Sequence, residues 1–318
     1  MSTVTPTPRS RAGGSAVTRQ GSRQTQGFEL TMMAPALILL ALLSIVPFIT
    51  LIVMSFSEVK TLGGVRLEFA GLANWIDVLS DTTVWAAWGR SLIYFTSIVA
   101  VEFILGFIIA LVLHAVTRGR SVVLAVVIMP MFFAPVIVGL MGRFLMDSTI
   151  GLYAQILETL GMGGDVFANP ATAFPTLILM DAWEWTPLIA LIMLAGLTSV
   201  PESTLEAAAV DGAGFFRRLV SIIIPQMKSI ILVALLIRSM DAIRYYDIVT
   251  ATTNGGPADS TKIVPLKLYE FAFRFDGQMG NAAVLGLTML AFSILLANLF
   301  VRVFADREQS GTGPEEQS

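Results

Sequence analysis

Two groups of residues place polar chemistry inside an otherwise apolar chain. In the first, Asp181 and Glu184 stand three apart, and so near one helical face, with Trp183 and Trp185 beside them. Arg238, Asp241 and Arg244 lie in a second apolar stretch, followed by Tyr245 and Tyr246. Ionisable groups at membrane depth are costly, and they mark a solute pathway or a buried pair. A carboxylate and a guanidinium together offer acceptors and donors to hydroxyl groups, and an aromatic face suits the flat C–H face of a pyranose. Asp181, Glu184, Arg238, Asp241 and Tyr245 are therefore the candidates for a solute path. The alternative is purely structural: Arg238–Asp241 or Arg244–Asp181 bridges that only tie helices together. Glu102 and His114 stand alone in the sequence and read as structural.

The second group is the polar turn over 199–225, between two apolar stretches. Ser203-Thr204-Leu205-Glu206 has the capping-box pattern that starts a helix. Leu205, Ala208 and Ala209 fall on one face of it, where small side chains let a partner's backbone come close. Asp211-Gly212 then ends the helix, because glycine accepts a left-handed φ and aspartate favours turns. Phe215, Phe216 and Leu219 begin a second amphipathic piece that leads to Pro225. Most loops of this length are plain connectors. The joint pattern of Glu206-Ala207-Ala208, Asp211-Gly212-Ala213, Arg217 and Pro225 argues for a docking surface.

The elements that must hold these residues are membrane helices. The 318 residues are 55% hydrophobic and 14% charged, with a mean hydropathy of +0.77; soluble domains carry about 25% charged residues. Six stretches reach the length of about 20 apolar residues that spans a bilayer: 32–56, 91–116, 121–141, 173–198, 222–247 and 282–304. Pro130 and Pro135 in the third and Pro187 in the fourth predict kinks, not ends, because neighbouring helices satisfy freed carbonyls. At about 1.5 Å per residue, Glu184 and Arg238 come to similar depth. Residues 1–27 and 306–318 read as cytoplasmic tails, the first disordered, around a membrane domain over 28–305. With the N-terminus inside, eleven Lys and Arg residues fall on the inner side and seven in the outer loops, which places both termini in the cytoplasm. Trp75, Trp85 and Trp88 in the first outer loop suit an interfacial helix over 71–79.

Composition also excludes functions. The chain has no cysteine and one histidine, His114, so neither a thiolate site nor a histidine cluster can form within it. A net charge of −3 gives no basis for nucleic-acid binding. The chain lacks the Gly-x-x-x-x-Gly-Lys-Ser/Thr phosphate loop of an ATPase.

The 206–225 turn resembles the cytoplasmic Glu-Ala-Ala loop of permease subunits in bacterial ABC importers. The outer segment Asn254-Gly255-Gly256-Pro257 is similar to the Gly-Gly-Pro loop of carbohydrate-importer permeases. Phe69-Ala70-Gly71-Leu72-Ala73-Asn74-Trp75 and Asp181 to Pro187 resemble two further signatures of that group, so the likeness runs over about 28–305. It departs at Arg90, where asparagine is common, and at Gly142, where tryptophan is common. The resemblance, to the maltose and glycerol-phosphate permease type, implies an all-α polytopic fold with six transmembrane helices in the cytoplasmic membrane. It implies no catalysis and no cofactor in this chain. It implies a second homologous permease, two ATPase subunits that bind ATP and Mg, and an extracytoplasmic solute-binding protein, with membrane lipid around the chain. The loop residues Glu206, Ala207, Ala208, Asp211, Gly212, Ala213, Arg217 and Pro225 would dock the ATPase. The solute would be a sugar, polyol or related compound. The alternatives are an ABC permease for an amino acid or anion, a secondary transporter, for which no inverted repeat is visible, and an intramembrane enzyme.

Overall fold

The structure, a computed structural model, describes residues 21–60, 64, 66–161, 163–274 and 278–309. The chain divides after Thr50 into two units. Helix α1 (Gly21–Ser55) makes up the described part of the first and continues into the second. Its segment Met32–Ser55 has a mean hydropathy of 2.9. The helix begins within the segment expected to be a disordered tail, of which residues 1–20 lie outside the described residues.

The second unit opens with an antiparallel hairpin, β1 (Ser57–Lys60) and β2 (Arg66–Phe69), with Val59 opposite Leu67. It is the only sheet among the described residues, so the architecture is helical. The expected outer-loop helix is α2 (Ala73–Ser80). Asn74 fastens it by donating through Nδ2 to the carbonyls of Ser55 at 3.1 Å and Ser57 at 3.0 Å. Then come α3 (Thr82–Ala115), α4 (Arg120–Ile128), a 3₁₀ turn (Met129–Phe132), α5 (Pro135–Leu145), α6 (Leu152–Thr159) and α7 (Pro170–Ser199). The polar turn holds α8 (Glu202–Val210), α9 (Phe215–Arg218), a π turn (Leu219–Ile223) and α10 (Ile224–Gln226). The chain ends with α11 (Lys228–Ala242), α12 (Asp247–Thr252), α13 (Val264–Phe273) and α14 (Met279–Gln309). Residues 310–318 of the expected C-terminal tail lie outside the described residues.

Helices α3 and α7, two of the long helices of the second unit, start where the local chemistry dictates. Asp81 caps α3 by accepting from the Thr83 N–H at 2.7 Å. Asn169 caps α7 by accepting from Ala171 N–H at 3.0 Å, and Pro170 takes the first position, where a missing N–H costs nothing. These helices form the spine of the unit. Ile98, Glu102, Gly106, Ala110 and Leu113 make a buried stripe on α3, while Leu92, Ile104 and Ile108 stay exposed, as lipid-facing residues do. A Cβ on Gly106 would sit 2.8 Å from Ile189 Cγ2 and 3.0 Å from the Ala190 backbone nitrogen. Gly106→Val should therefore force α3 and α7 apart, at about 1–3 kcal/mol for overpacking. Thermal unfolding of the purified protein should show a lowered midpoint; an unchanged midpoint would mean the helices separate freely here.

Among the described residues four helices are long and apolar enough to cross a membrane: Met32–Ser55, Thr82–Ala115, Pro170–Ser199 and Met279–Val303. Two bent pairs bring the number to six if each is one span. The third expected span is not a kinked helix, because α4 with its 3₁₀ turn meets α5 at 91°. The helical run stops at Phe132 with Phe133 extended at ψ 142°, and Pro135 keeps the break open by restricting Ala134, at ψ 137°, to extended backbone before α5 starts. Pro187, by contrast, stays inside α7 as expected. The fifth expected span, 222–247, bends by 69° at Met227, and beyond the bend α11 and α12, separated by a turn, cover Lys228–Thr252. Pro225 lacks an N–H to continue the ladder, and the chain before it widens into the π turn. Met227 is wholly buried, and a Cβ on Gly196 of α7 would meet its Cε at 2.6 Å, so the elbow rests against α7.

Candidate functional site

Arg238 of α11 is fully buried at the junction of α3, α7 and α11. Its Nε donates to Glu102 Oε2 at 2.6 Å and its Nη2 to Glu102 Oε1 at 2.7 Å, a bidentate pair. Nη2 also meets Asp181 Oδ1, and Nη1 reaches Asp241 Oδ2 at 3.2 Å. Tyr94 donates its hydroxyl to the other oxygen of Asp181 at 3.0 Å. The guanidinium carbon lies 5.2 Å from the Trp185 ring centre and 5.9 Å from that of Tyr245, within cation–π range. One guanidinium thus holds three carboxylates from three helices. A fork of donors achieves this where a lysine's point charge would not.

Glu184 and Tyr245 form a second pair one turn away. The Tyr245 hydroxyl donates to Glu184 Oε2 at 2.7 Å, and both side chains are buried. The structure therefore brings Asp181, Glu184, Arg238, Asp241 and Tyr245 together in two neighbouring groups on adjoining turns. It corrects two readings. Glu102 is not a lone polar group: it is the main partner of Arg238, and it was missed because 136 residues separate the two in sequence. Arg244 does not reach Asp181. It is exposed and meets Asp241 at 3.9 Å, because the chain turns after Ala242 and carries it away from the junction. Only Asp241 of the group is substantially open, its side chain 39% exposed.

Beyond the end of α7, α8 projects as a short helix. It begins at Glu202 behind Pro201, and no side chain caps it, so the expected capping box at 203–206 does not form. Pro201 fixes the entry, and the acidic Glu202 sits in the first turn, where the helix dipole favours it. At the other end the expected break is present. Gly212 has φ +77°. Its N–H bonds to the Ala209 carbonyl at 3.0 Å, and the Ala213 N–H bonds to the Ala208 carbonyl at 2.9 Å. Those two bonds are a Schellman closure. Leu205 and Ala208 turn partly inward, whereas Ala209 is exposed with Glu206 and Ala207; the face expected to hold Leu205, Ala208 and Ala209 is thus divided. Val210 is 87% and Phe216 77% exposed. Asp211, Gly212, Arg217 and Pro225 are exposed too, and Ala213 is half-buried.

Residues 102–309 match the family described as binding-protein-dependent transport system inner membrane component. The chain belongs to that family. It is 33% identical over 230 residues, 72% of its length and 77% of the relative's, to the trehalose/maltose transport system permease protein MalF of Thermococcus litoralis. It is 29% identical over 279 residues, 87% of its length and 90% of the relative's, to the sulfoquinovosyl glycerol transport system permease protein SmoG of Agrobacterium fabrum. In fold it matches a chain from the crystal structure of a bacterial ABC transporter involved in importing the acidic polysaccharide alginate, with a TM-score of 0.77. That match has 18% identity and covers 91% of this chain and 99% of that one. The molecule is a transport permease, with the helical fold of an ABC importer subunit.

The permease's Asn254-Gly255-Gly256-Pro257 segment forms a tight, pinned loop. Asn254 has φ +49° and Gly255 φ +90°. Thr261 donates to the Gly256 carbonyl at 2.7 Å, and Arg274 Nη2 donates to Asn254 Oδ1 at 2.9 Å. Lys262 bridges Asp259 at 2.7 Å and Glu270 at 3.2 Å. That ammonium holds the Asp259 carboxyl below its usual range. Arg90, which departs from the family pattern, donates from Nε to the Lys262 carbonyl at 2.8 Å and so ties this loop to α3. Gly142, the other departure, faces the end of the Met180 side chain, which occupies the space a larger residue would need.

Proposed function

We propose that this permease works in an ABC importer for a polyhydroxylated solute: a sugar, a polyol or a related compound. Its relatives are named for trehalose, maltose and sulfoquinovosyl glycerol, and its structural neighbour imports alginate; all of these are rich in hydroxyls. In this reading residues 28–305 form the membrane domain, and both termini face the cytoplasm. Two ATPase subunits, which bind ATP and Mg, dock on α8 and its exit turn through Glu206, Ala207, Ala208, Asp211, Gly212, Ala213, Arg217 and Pro225. A second related permease completes the pathway, and a solute-binding protein delivers from outside. The alginate system, which has also been crystallised with its periplasmic protein, supports the last of these partners.

The observation that carries this reading is a mechanical connection. α7 and α11 bracket the α8 turn, and the same two helices supply Asp181, Glu184, Arg238 and Asp241, with Tyr245 in the turn just past the end of α11. A push on α8 travels along rigid helices to the polar level. Arg238 and Asp181 hold that level in register, while Glu184, Tyr245 and the open Asp241 face the solute when the helices part. Tyr245→Phe removes the hydrogen bond to Glu184, worth about 1.5–3 kcal/mol when its acceptor is charged, while Glu184→Gln keeps an acceptor for Tyr245 and removes only the charge. Each should lower uptake about tenfold or more and shift preference among related sugars, with membrane abundance unchanged. Unchanged uptake in both would remove these residues from the path.

Orientation has its own test, helped by the absence of cysteine. A cysteine at exposed Ser203 on α8 should resist an impermeant thiol reagent added outside, and one at exposed Ser80 on α2 should react. Outside labelling of position 203 would overturn the ATPase-docking assignment.

A further inference from the structure

Behind α8, the ends of α3 and α7 enclose a cavity of about 390 Å³. Val112, Leu197, Leu205 and Phe215 contribute apolar wall, and His114 and Arg218 contribute the polar groups; among the described residues no acidic one lines it. Among the described residues the Arg218 side chain makes no ion pair or hydrogen bond, and its Nε is buried without a partner. Arg218 thus brings a guanidinium to the cavity wall with no carboxylate to balance it, and an anion in the cavity would supply that partner. The cavity also lies where the apolar helices stop: α3 ends at Ala115 and α7 at Ser199. Arg118, Arg120 and Arg217 are close in sequence to its walls. Its rim is open, since Val112 is 57% exposed and His114 and Ala115 are exposed.

An apolar wall, a basic group awaiting an anion and a position at the end of the spans together define the occupant. We propose that the cavity binds an anionic phospholipid, with its phosphate on Arg218 and His114 and the start of an acyl chain along Leu197, Leu205 and Val112. A free phosphate would leave the apolar wall empty, and a zwitterionic lipid would bring a cation toward the arginine. Basic pockets between membrane helices on the cytoplasmic side are suited to such head groups. The lipid would sit against the inner side of α8, beneath the surface proposed to meet the ATPase. The choice of the cytoplasmic leaflet rests on the orientation proposed above.

The test uses the complete transporter in nanodiscs of phosphatidylcholine with a trace of phosphatidylglycerol carrying a photoreactive acyl chain. Cross-links should map to residues 111–115 and 205–218, and excess phosphatidylglycerol should compete while excess phosphatidylcholine and inorganic phosphate do not. Arg218→Ala should weaken labelling about fivefold, the worth of one basic side chain at an anionic surface, whereas exposed Arg118→Ala should not. Should Arg218→Ala fold poorly, Ala115→Trp, which fills the cavity from an exposed position, should block labelling instead. Equal competition by phosphatidylcholine, displacement by phosphate alone, or undiminished labelling in the Arg218 and Ala115 variants would overturn the proposal. So would labelling seen only when the ATPases are stripped away, which would give the cavity to the protein partner. Outside thiol labelling at position 203 would overturn the orientation alone, moving the site to the other leaflet while its dependence on Arg218 stands.

Discussion

Replacing Arg238 by methionine is expected to remove most of the folded permease from the membrane. The change strands Glu102 and Asp181, both wholly buried, without the guanidinium that binds them. Breaking a buried charge network by removing one partner costs about 3–5 kcal/mol, a large part of the stability of an ordinary domain. The loss should show as low membrane abundance and as aggregation on size-exclusion chromatography in detergent. Uptake should fall only in proportion to abundance. Adding Glu102→Gln and Asp181→Asn to Arg238→Met removes the stranded charges and keeps an acceptor for Tyr94 at position 181. The triple variant should therefore recover abundance. Normal abundance in the single variant would mean the cluster is not a clasp. Failure of the triple variant to recover would mean that the aromatic contacts of Arg238 with Trp185 and Tyr245 matter more than its charge.

What the sequence revealed follows the range over which its signals act. Helix length and apolar runs are local, so the spans at 91–116 and 173–198 correspond closely to α3 and α7. Gly212 is legible for the same reason, because the need for a left-handed residue after a short helix is met within three residues. The break at Ala134 was legible in principle, since the restriction imposed by Pro135 is local; Pro187 shows why it was not decisive, because packing within α7 overrides the same preference. The pairing of Glu102 with Arg238 could not be read at all. It depends on α3 and α11 meeting, and nothing in the spacing of either residue reports the other. A lone carboxylate in an apolar helix says that a partner exists, not where it lies.

The exit turn of α8 offers the sharpest test of how the permease is driven. A Cβ at Gly212 would meet nothing within 4 Å, so Gly212→Val acts through the backbone alone. At φ +77° a β-branched residue is a genuine outlier, and the strain is about 1–3 kcal/mol. The turn should relieve it by giving up the bonds from Gly212 and Ala213 to the last carbonyls of α8, which tilts the helix and its exposed Glu206, Ala207 and Val210. Since 1–3 kcal/mol shifts an equilibrium by about 5–150-fold, uptake should fall within that range while the protein still reaches the membrane. Gly212→Asn tolerates the left-handed region better and should retain most uptake. Glu206→Lys leaves the fold untouched, because Glu206 is exposed and makes no ion pair among the described residues. It reverses charge on the surface proposed to enter the ATPase, so it should abolish solute-stimulated ATP hydrolysis and uptake together. The pattern to look for is loss in Gly212→Val and Glu206→Lys, retention in Gly212→Asn, and equal abundance in all three. Wild-type uptake in both the valine and the lysine variants would mean that α8 is only a connector between α7 and α11.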